Sequence, residues 1–207
     1  VLDQIKTMIL KAGEALRTGG IHTPNHRWVI CAALSQIHAL YPDKKYITRI
    51  NEWLAEGIYQ DADGYYPERS GTYSMVENTA FITMARNLKR PEFLKYVRKN
   101  LQTFFYSMEA NGDLVSNNSR RQDQFLCRHS TIFYLQYRYL AIHDQDRHFA
   151  AICKMIEATP WFDKEVLQQG LFYFQENESL RESLPSPATL PDRYEKLFPS
   201  SHLLRIK

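Results

Sequence analysis

The 207 residues are enough for one sizeable hydrophobic core or two very small ones. An apolar content of 44 % and a charged content of 24 % are ordinary for a globular protein, and no apolar run approaches the roughly 18 residues that span a bilayer. Lys and Arg (26) are interspersed with Asp and Glu (23) for a net charge of +3, which points to neither nucleic acid nor a membrane as partner.

Residues 2–18 carry Leu2, Ile5, Met8, Ile9, Ala12 and Leu16 at helical spacing, and Gly19-Gly20 ends that helix. Thr23-Pro24 is a cap followed by a first-turn proline, and the next helix, Trp28 to about Leu40, is apolar nearly all round. Tyr41-Pro42-Asp43 breaks it. An amphipathic helix to about Tyr59 follows, with Ile47, Ile50, Trp53, Leu54 and Ile58 on one stripe.

The stretch from Asp61 to Asn78, DADGYYPERSGTYSMVEN, is too aromatic for a disordered linker and long for a structureless connection. It reads as the floor of a site. Ser74 and Glu77 fit a capping box for a second apolar helix running to Asn87. Pro91 starts an amphipathic helix with Phe93, Leu94, Val97, Leu101, Phe104, Phe105 and Met108, and Asn111-Gly112 makes a turn. A polar connection with a short strand-like piece leads to Asp123, the expected cap of a third apolar helix, FLCRHSTIFYLQYRYL. Helices from about Gln145 to Glu157 and from Pro160-Trp161 to about Glu176 come next. Residues 177–193, rich in Pro and Ser, read as a linker, and the closing YEKLFPSSHLLRIK reads as the start of a strand. With no initiating Met and no signal peptide at Val1, the chain is expected to be an internal piece of a longer polypeptide.

Asn25-His26, Glu77-Asn78 and Arg128-His129 recur 52 and then 51 residues apart, each near the start of a buried helix. Asp63-Gly64 and Asn111-Gly112 recur 48 apart. A buried helix, an amphipathic helix and a Gly turn, repeated, is the pattern of stacked helical hairpins. The expected fold is all-α, an incomplete α/α toroid or solenoid of antiparallel helical hairpins over residues 1–176.

In a ring, the three polar pairs would converge at one mouth, under loops carrying Tyr65, Tyr66, Glu68, Arg69 and Tyr73, and Arg120, Arg121, Gln122 and Gln124. Amides, guanidinium groups, imidazole and phenol at helix starts suit a carboxylate and a proton. Each candidate also has a structural explanation: first-turn polarity for His26, a satisfied core histidine for His129, a cap for Glu77, a loop staple for Tyr73 and a solvated turn for Arg120-Arg121. Cys31, Cys127 and Cys153 fall in helical patterns and read as buried free thiols. The remaining histidines share no metal-ligand spacing, so no metal or cofactor is expected in this segment. Phosphate-cradling Gly loops, GxSxG, CxxC and HExxH are absent from the sequence.

The helix opening with TPNHRW, DADGYYPERSGTYS entering a polar-started helix, and the exit YEKLFPSSHLLRIK together resemble the toroid of heparinase II/III-like polysaccharide lyases. The resemblance covers roughly residues 20–140 and 194–206. It implies β-elimination on uronic-acid-containing polysaccharide or oligosaccharide, in a periplasmic or secreted setting. Asn25 or His26 would match the Asn/His at the start of the inner helix, and Tyr73 the catalytic tyrosine. Tyr65, Tyr66, Glu68, Arg69, Asn78, Arg120, Arg121, Gln124, Arg128 and His129 would then bind substrate. Where many relatives show a Glu-Gly pair this chain has Glu-Arg-Ser-Gly-Thr-Tyr, which shifts the register to Tyr73 by a residue or two. The resemblance also implies that residues 194–207 begin a β-sandwich that completes the cleft, so that this segment is one part of an enzyme. Two other readings compete: an α/α-barrel hydrolase of unsaturated uronides or other sugars, using Asp61 or Asp63 with Glu68 or Glu77, and a non-catalytic helical-repeat module that grips a glycan or peptide.

Overall fold

A computed structural model describes residues 1–207, apart from the side chains of residues 167–169. The chain is mostly helical, with one two-stranded sheet at its C-terminal end. Among the described residues no helix is long and apolar enough to cross a membrane. The chain divides into two compact units, residues 1–60 with 76–97, and residues 61–75 with 98–207.

The first unit holds α1 (Leu2–Thr18), α2 (Pro24–Leu40) and α3 (Lys44–Ala55), together with most of α4 (Gly71–Asn87) and the first turn of α5 (Leu94–Phe105). Pro24 opens α2, where its missing N–H costs nothing, and Trp28, Cys31, Ala32, Leu34, Ser35 and Ile37 are buried along it. The short Tyr41–Asp43 connection turns the chain back, and Asp43 caps α3 by accepting the Lys45 amide at 2.9 Å. Tyr46, Ile50 and Trp53 form the buried stripe of α3. Gly13 on α1 makes room for Tyr46, since a Cβ there would lie 2.7 Å from the phenol oxygen. The aromatic centre is Phe81 of α4, fully buried against Trp28 at 5.3 Å and stacked on Phe93 and Tyr96.

The second unit holds the tyrosine loop, the rest of α5, and α6 (Tyr134–His143), α7 (Arg147–Glu157) and α8 (Phe162–Glu176). Asp146 caps α7 by accepting the His148 and Phe149 amides at 2.8 and 3.0 Å, so the Asp144–Asp146 turn folds α7 back on α6. Phe133, Tyr137, Phe149, Ile152 and Ile156 are fully buried. Residues 177–193 run along this unit, with the Arg138 guanidinium bonding the carbonyls of Leu180 and Glu182, both at 2.7 Å. The segment read as the start of a strand forms a hairpin: β1 (Glu195–Phe198) pairs antiparallel with β2 (Leu203–Ile206), Phe198 opposite Leu203.

Two local expectations are corrected. The third apolar helix does not start at Asp123. Phe125 takes φ +63°, residues 126–129 are extended, and helix begins only with the 3-10 turn Ser130–Phe133 that leads into α6. Backbone pairing decides this: the Leu114 amide donates to the Arg128 carbonyl at 2.7 Å and the Ser130 amide to Gly112 at 2.8 Å, which holds 128–130 as a partner for the Asn-Gly turn. Cys127 is therefore exposed instead of buried in a helix, whereas Cys31 and Cys153 are buried. The helix expected to start at Ser74 begins earlier, at Gly71. Ser70 is its cap, its hydroxyl accepting the Tyr73 amide at 3.1 Å, so Glu77 lies inside α4, fully buried, and not at the helix start.

Candidate functional site

The tyrosine loop is built by Asp61, whose carboxylate oxygen accepts the amides of Gly64 and Tyr65 at 2.9 and 2.8 Å. This Asx turn needs φ +103° at Gly64, and a Cβ there would lie 2.7 Å from the Lys99 carbonyl. Side chains on α5 then hold the loop's carbonyls. Lys99 bonds that of Asp61 and Asn100 that of Gly64, both at 2.9 Å, and the Thr103 hydroxyl bonds that of Asp63. The C-terminal hairpin closes over the same loop: the Ser201 amide donates to Asp63 at 2.7 Å, and Arg69 donates to the Ser200 carbonyl at 2.9 Å.

This arrangement separates the candidates in the loop. Tyr65 and Tyr66 are 0 and 1 % exposed, so the expectation that they line an open rim is corrected. Tyr65 packs on Phe104 and Phe198, because a ring this large lowers free energy most when desolvated in the aromatic core. Glu68 is buried as well, and its carbonyl accepts the Arg120 amide at 2.9 Å. Arg69 is half-buried beside Asp61, 3.6 Å away.

Tyr73 differs from the other loop tyrosines. It sits in the first turn of α4, half-buried, with the Arg121 guanidinium 4.7 Å above its ring. Its phenol oxygen accepts from Gln122 at 2.7 Å and from Arg121 at the long distance of 3.5 Å. The bond with Tyr73 is the main influence holding the Arg121 guanidinium above its ordinary pKa. A cation and an amide thus converge on one partly exposed hydroxyl.

Asp123 fixes that convergence. Only 3 % exposed, it accepts the Ser70 hydroxyl at 2.6 Å, the Thr72 amide at 3.4 Å and the Ser119 hydroxyl. Ser70 caps α4 beneath Tyr73, and the Ser119 oxygen accepts the Arg121 amide at 3.1 Å. One carboxylate therefore ties the start of α4 to the loop that supplies Arg121 and Gln122. Burial works to raise the Asp123 pKa, but the Ser119 and Ser70 hydroxyls and the Thr72 amide outweigh it and hold it below the usual aspartate value.

A second constellation lies in the same unit. Asp113 and His129 form a bridge pair, and the His129 Nδ1 lies 3.0 Å from Asp113 Oδ1. Cys127, two residues before His129 on the extended segment, faces the same side, and one ligand atom from each of the three lies within 4.8 Å of the others. The Nε2 of His129 is 3.8 Å from Glu165, whose other oxygen accepts the Thr131 hydroxyl. Trp161 stacks on the imidazole at 4.2 Å and 15°.

The other candidates are placed as follows. Gln124 bonds the Asn117 carbonyl at 3.0 Å, and Arg120 and Arg128 are exposed. In the first unit Asn25 is 2 % exposed, its amide donating to the Thr23 hydroxyl at 2.9 Å. His26 is exposed in the first turn of α2, its ring edge-on to His22 at 6.0 Å, and Asn78 is fully buried in α4. Sequence reasoning missed the bracing role of Asp123, which it took for a helix cap, and the grouping of Asp113, Cys127, His129 and Glu165. The alternation Cys127-Arg128-His129 opposite an Asn-Gly-Asp turn was the available signal for the latter.

Comparison with protein-family models, curated proteins and solved structures finds no match for this chain.

Proposed function

We propose that this chain is the helical part of a polysaccharide lyase, an incomplete α/α toroid that cleaves uronic-acid-containing glycans by β-elimination. The observation that carries the proposal is the Tyr73 hydroxyl, partly exposed and held between Arg121 and Gln122. In such a reaction a cation or amide neutralises the uronate carboxylate, which lowers the cost of removing the C5 proton. A Tyr or His base takes that proton, the C4–O bond breaks with its electron pair leaving on oxygen, and a proton donated by a tyrosine completes the alcohol. A C4–C5 double bond remains in the sugar.

In this scheme Tyr73 transfers the proton, and Arg121 stabilises the negative charge that develops at its oxygen or on the substrate. The family resemblance implies that Asn25 or His26 serves the carboxylate; the Asn25 amide is engaged by Thr23, whereas His26 is exposed. The periplasmic or secreted setting and the β-sandwich rest on that resemblance. The hydrolase alternative draws less support. Asp61 is engaged by two amides and lies near Arg69, Asp63 accepts the Ser201 amide, and Glu68 and Glu77 are buried.

The test is a panel of uronic-acid polysaccharides incubated with the full polypeptide, following the ultraviolet absorbance of the conjugated unsaturated uronate. Tyr73→Phe is expected to lower turnover about 10²–10⁴-fold, the usual span for a lost general acid or base. Full turnover in Tyr73→Phe would remove Tyr73 from the chemistry. Reducing ends formed without the absorbance would establish a hydrolase, and glycan binding without turnover a binding module.

A further inference from the structure

We infer that Asp113, Cys127 and His129 form a binding site for a single divalent zinc-class cation, with Glu165 as the outer carboxylate that orients the histidine. The inference is independent of the lyase proposal, since it uses neither Tyr73 nor a sugar.

The site follows from backbone register. The Asn111-Gly112 turn, with Gly112 at φ +89°, folds residues 113 and 114 against residues 128–130. Residues directly opposite in such a pair project side chains to one face, which brings Asp113 to His129. The period of two in extended chain adds Cys127. The result is one oxygen, one nitrogen and one sulfur donor, all within 4.8 Å of one another. Around a tetrahedral zinc ion, bonds of about 2.0–2.3 Å put such donors roughly 3.3–3.6 Å apart, a few tenths of an ångström from the 3.0 Å between Asp113 and His129.

The surroundings are those of a metal ligand set. Asn111 donates to Asp113 Oδ2 at 2.8 Å, which leaves Oδ1 directed at His129. With Nδ1 of His129 on the metal, Nε2 faces Glu165 at 3.8 Å, and Glu165 is itself held by Thr131. A carboxylate behind a ligating imidazole raises its basicity, and fixes its tautomer once the two close to hydrogen-bond distance. Trp161, stacked flat on the ring, restricts its rotation. The soft sulfur beside a borderline nitrogen selects zinc-class cations over calcium or magnesium, which prefer all-oxygen sites. Cys127 is exposed, so a fourth position is open to water. On binding, the thiol proton leaves to solvent and a metal–thiolate bond forms. A thiol nucleophile is the competing use of these residues. In that arrangement the imidazole would pair with sulfur, whereas here Asp113 lies against the imidazole nitrogen nearest the cluster.

The test uses chelator-treated protein titrated with Co(II), a spectroscopic substitute for zinc, and then with Zn(II). The expected result is one cobalt per chain, with visible bands of four-coordinate geometry and a near-ultraviolet thiolate charge-transfer band, both abolished by one equivalent of Zn(II). Cys127→Ser removes the charge-transfer band, and Cys31→Ser and Cys153→Ser leave it. Glu165→Gln weakens binding about 10–100-fold, the usual effect of losing an outer-shell partner. If a variant fails to fold, protection of Cys127 from alkylation by Zn(II) in the unaltered protein, located by mass spectrometry, reads the same site. Absence of a saturable one-to-one spectrum, a charge-transfer band that survives Cys127→Ser, or undiminished alkylation under Zn(II) each overturns the inference. Elimination activity bears on Tyr73 and cobalt spectra on the cluster, so either proposal can fail by itself.

Discussion

Asp123→Ala is the sharpest perturbation of the candidate site that leaves every proposed catalytic group in the chain. It removes the acceptor shared by Ser70 and Ser119 and leaves both hydroxyls inside a site where Asp123 was only 3 % exposed. Hydrogen bonds to a charged group contribute about 1.5–3 kcal/mol each, and removing the carboxylate also removes its own desolvation cost, so a net loss of about 3 kcal/mol is expected. For a chain of this size that corresponds to a fall in Tm of about 6–12 °C. Asp123→Asn keeps one acceptor oxygen and should lose about half as much. Urea denaturation by circular dichroism gives the stability, and hydrogen exchange at the Tyr73 amide reports whether the Ser70 cap has loosened. The pH dependence has a definite sign. The folded-state pKa of Asp123 is lowered, so its contribution is fully present above the unfolded value of about 3.9 and is lost as pH falls through the lower folded value. The difference between wild type and Asp123→Ala should therefore be constant near neutrality and shrink in acid below about pH 4. A variant within about 0.5 kcal/mol of wild type, with the Tyr73 amide equally protected, would refute the bracing role.

Other substitutions separate core from site. Phe81→Ala opens a cavity beside Trp28 and should cost about 3–5 kcal/mol by urea denaturation. Gly64→Ala places a Cβ 2.7 Å from the Lys99 carbonyl at φ +103°; a loss of about 2 kcal/mol or more in thermal unfolding is expected, and a neutral result would deny the tight loop. Asp146→Ala removes the α7 cap and should cost about 1 kcal/mol in the same assay. Arg120→Ala, on an exposed side chain, should change stability by less than about 0.5 kcal/mol, while Arg121→Ala should lower elimination activity with Tyr73 intact.

The buried face of α5 and the Ile50 and Trp53 positions of α3 were legible in the chain, because helical periodicity is a local property and Val97, Leu101 and Phe104 repeat with it. The expected continuation to Tyr59 was not, since α3 ends at Ala55, before Gly57 at φ +84°, and Tyr46 takes the buried place expected of Ile47, Leu54 and Ile58. Also legible were the breaks at Gly19-Gly20, Tyr41–Asp43 and Asn111-Gly112, whose residues have few other conformations to choose from. Pairing between distant segments was not legible. FLCRH has helical spacing, yet the carbonyls and amides of residues 112–114 claim its end as an extended partner, and that contact turns Cys127 outward and gathers it with Asp113 and His129. In the tyrosine loop all three rings were expected at the mouth of a site, with Tyr73 as the catalytic one. Contact with Phe104 and Phe198 buries Tyr65, while the Asp123 carboxylate, read in the sequence as a helix cap, braces through Ser70 and Ser119 the loop whose Arg121 and Gln122 meet Tyr73. Local periodicity and turn chemistry determined most of the helices of this protein. Which polar side chains meet was decided by tertiary structure, because hydrogen bonds between segments some 50 residues apart depend on where the intervening helices turn the chain.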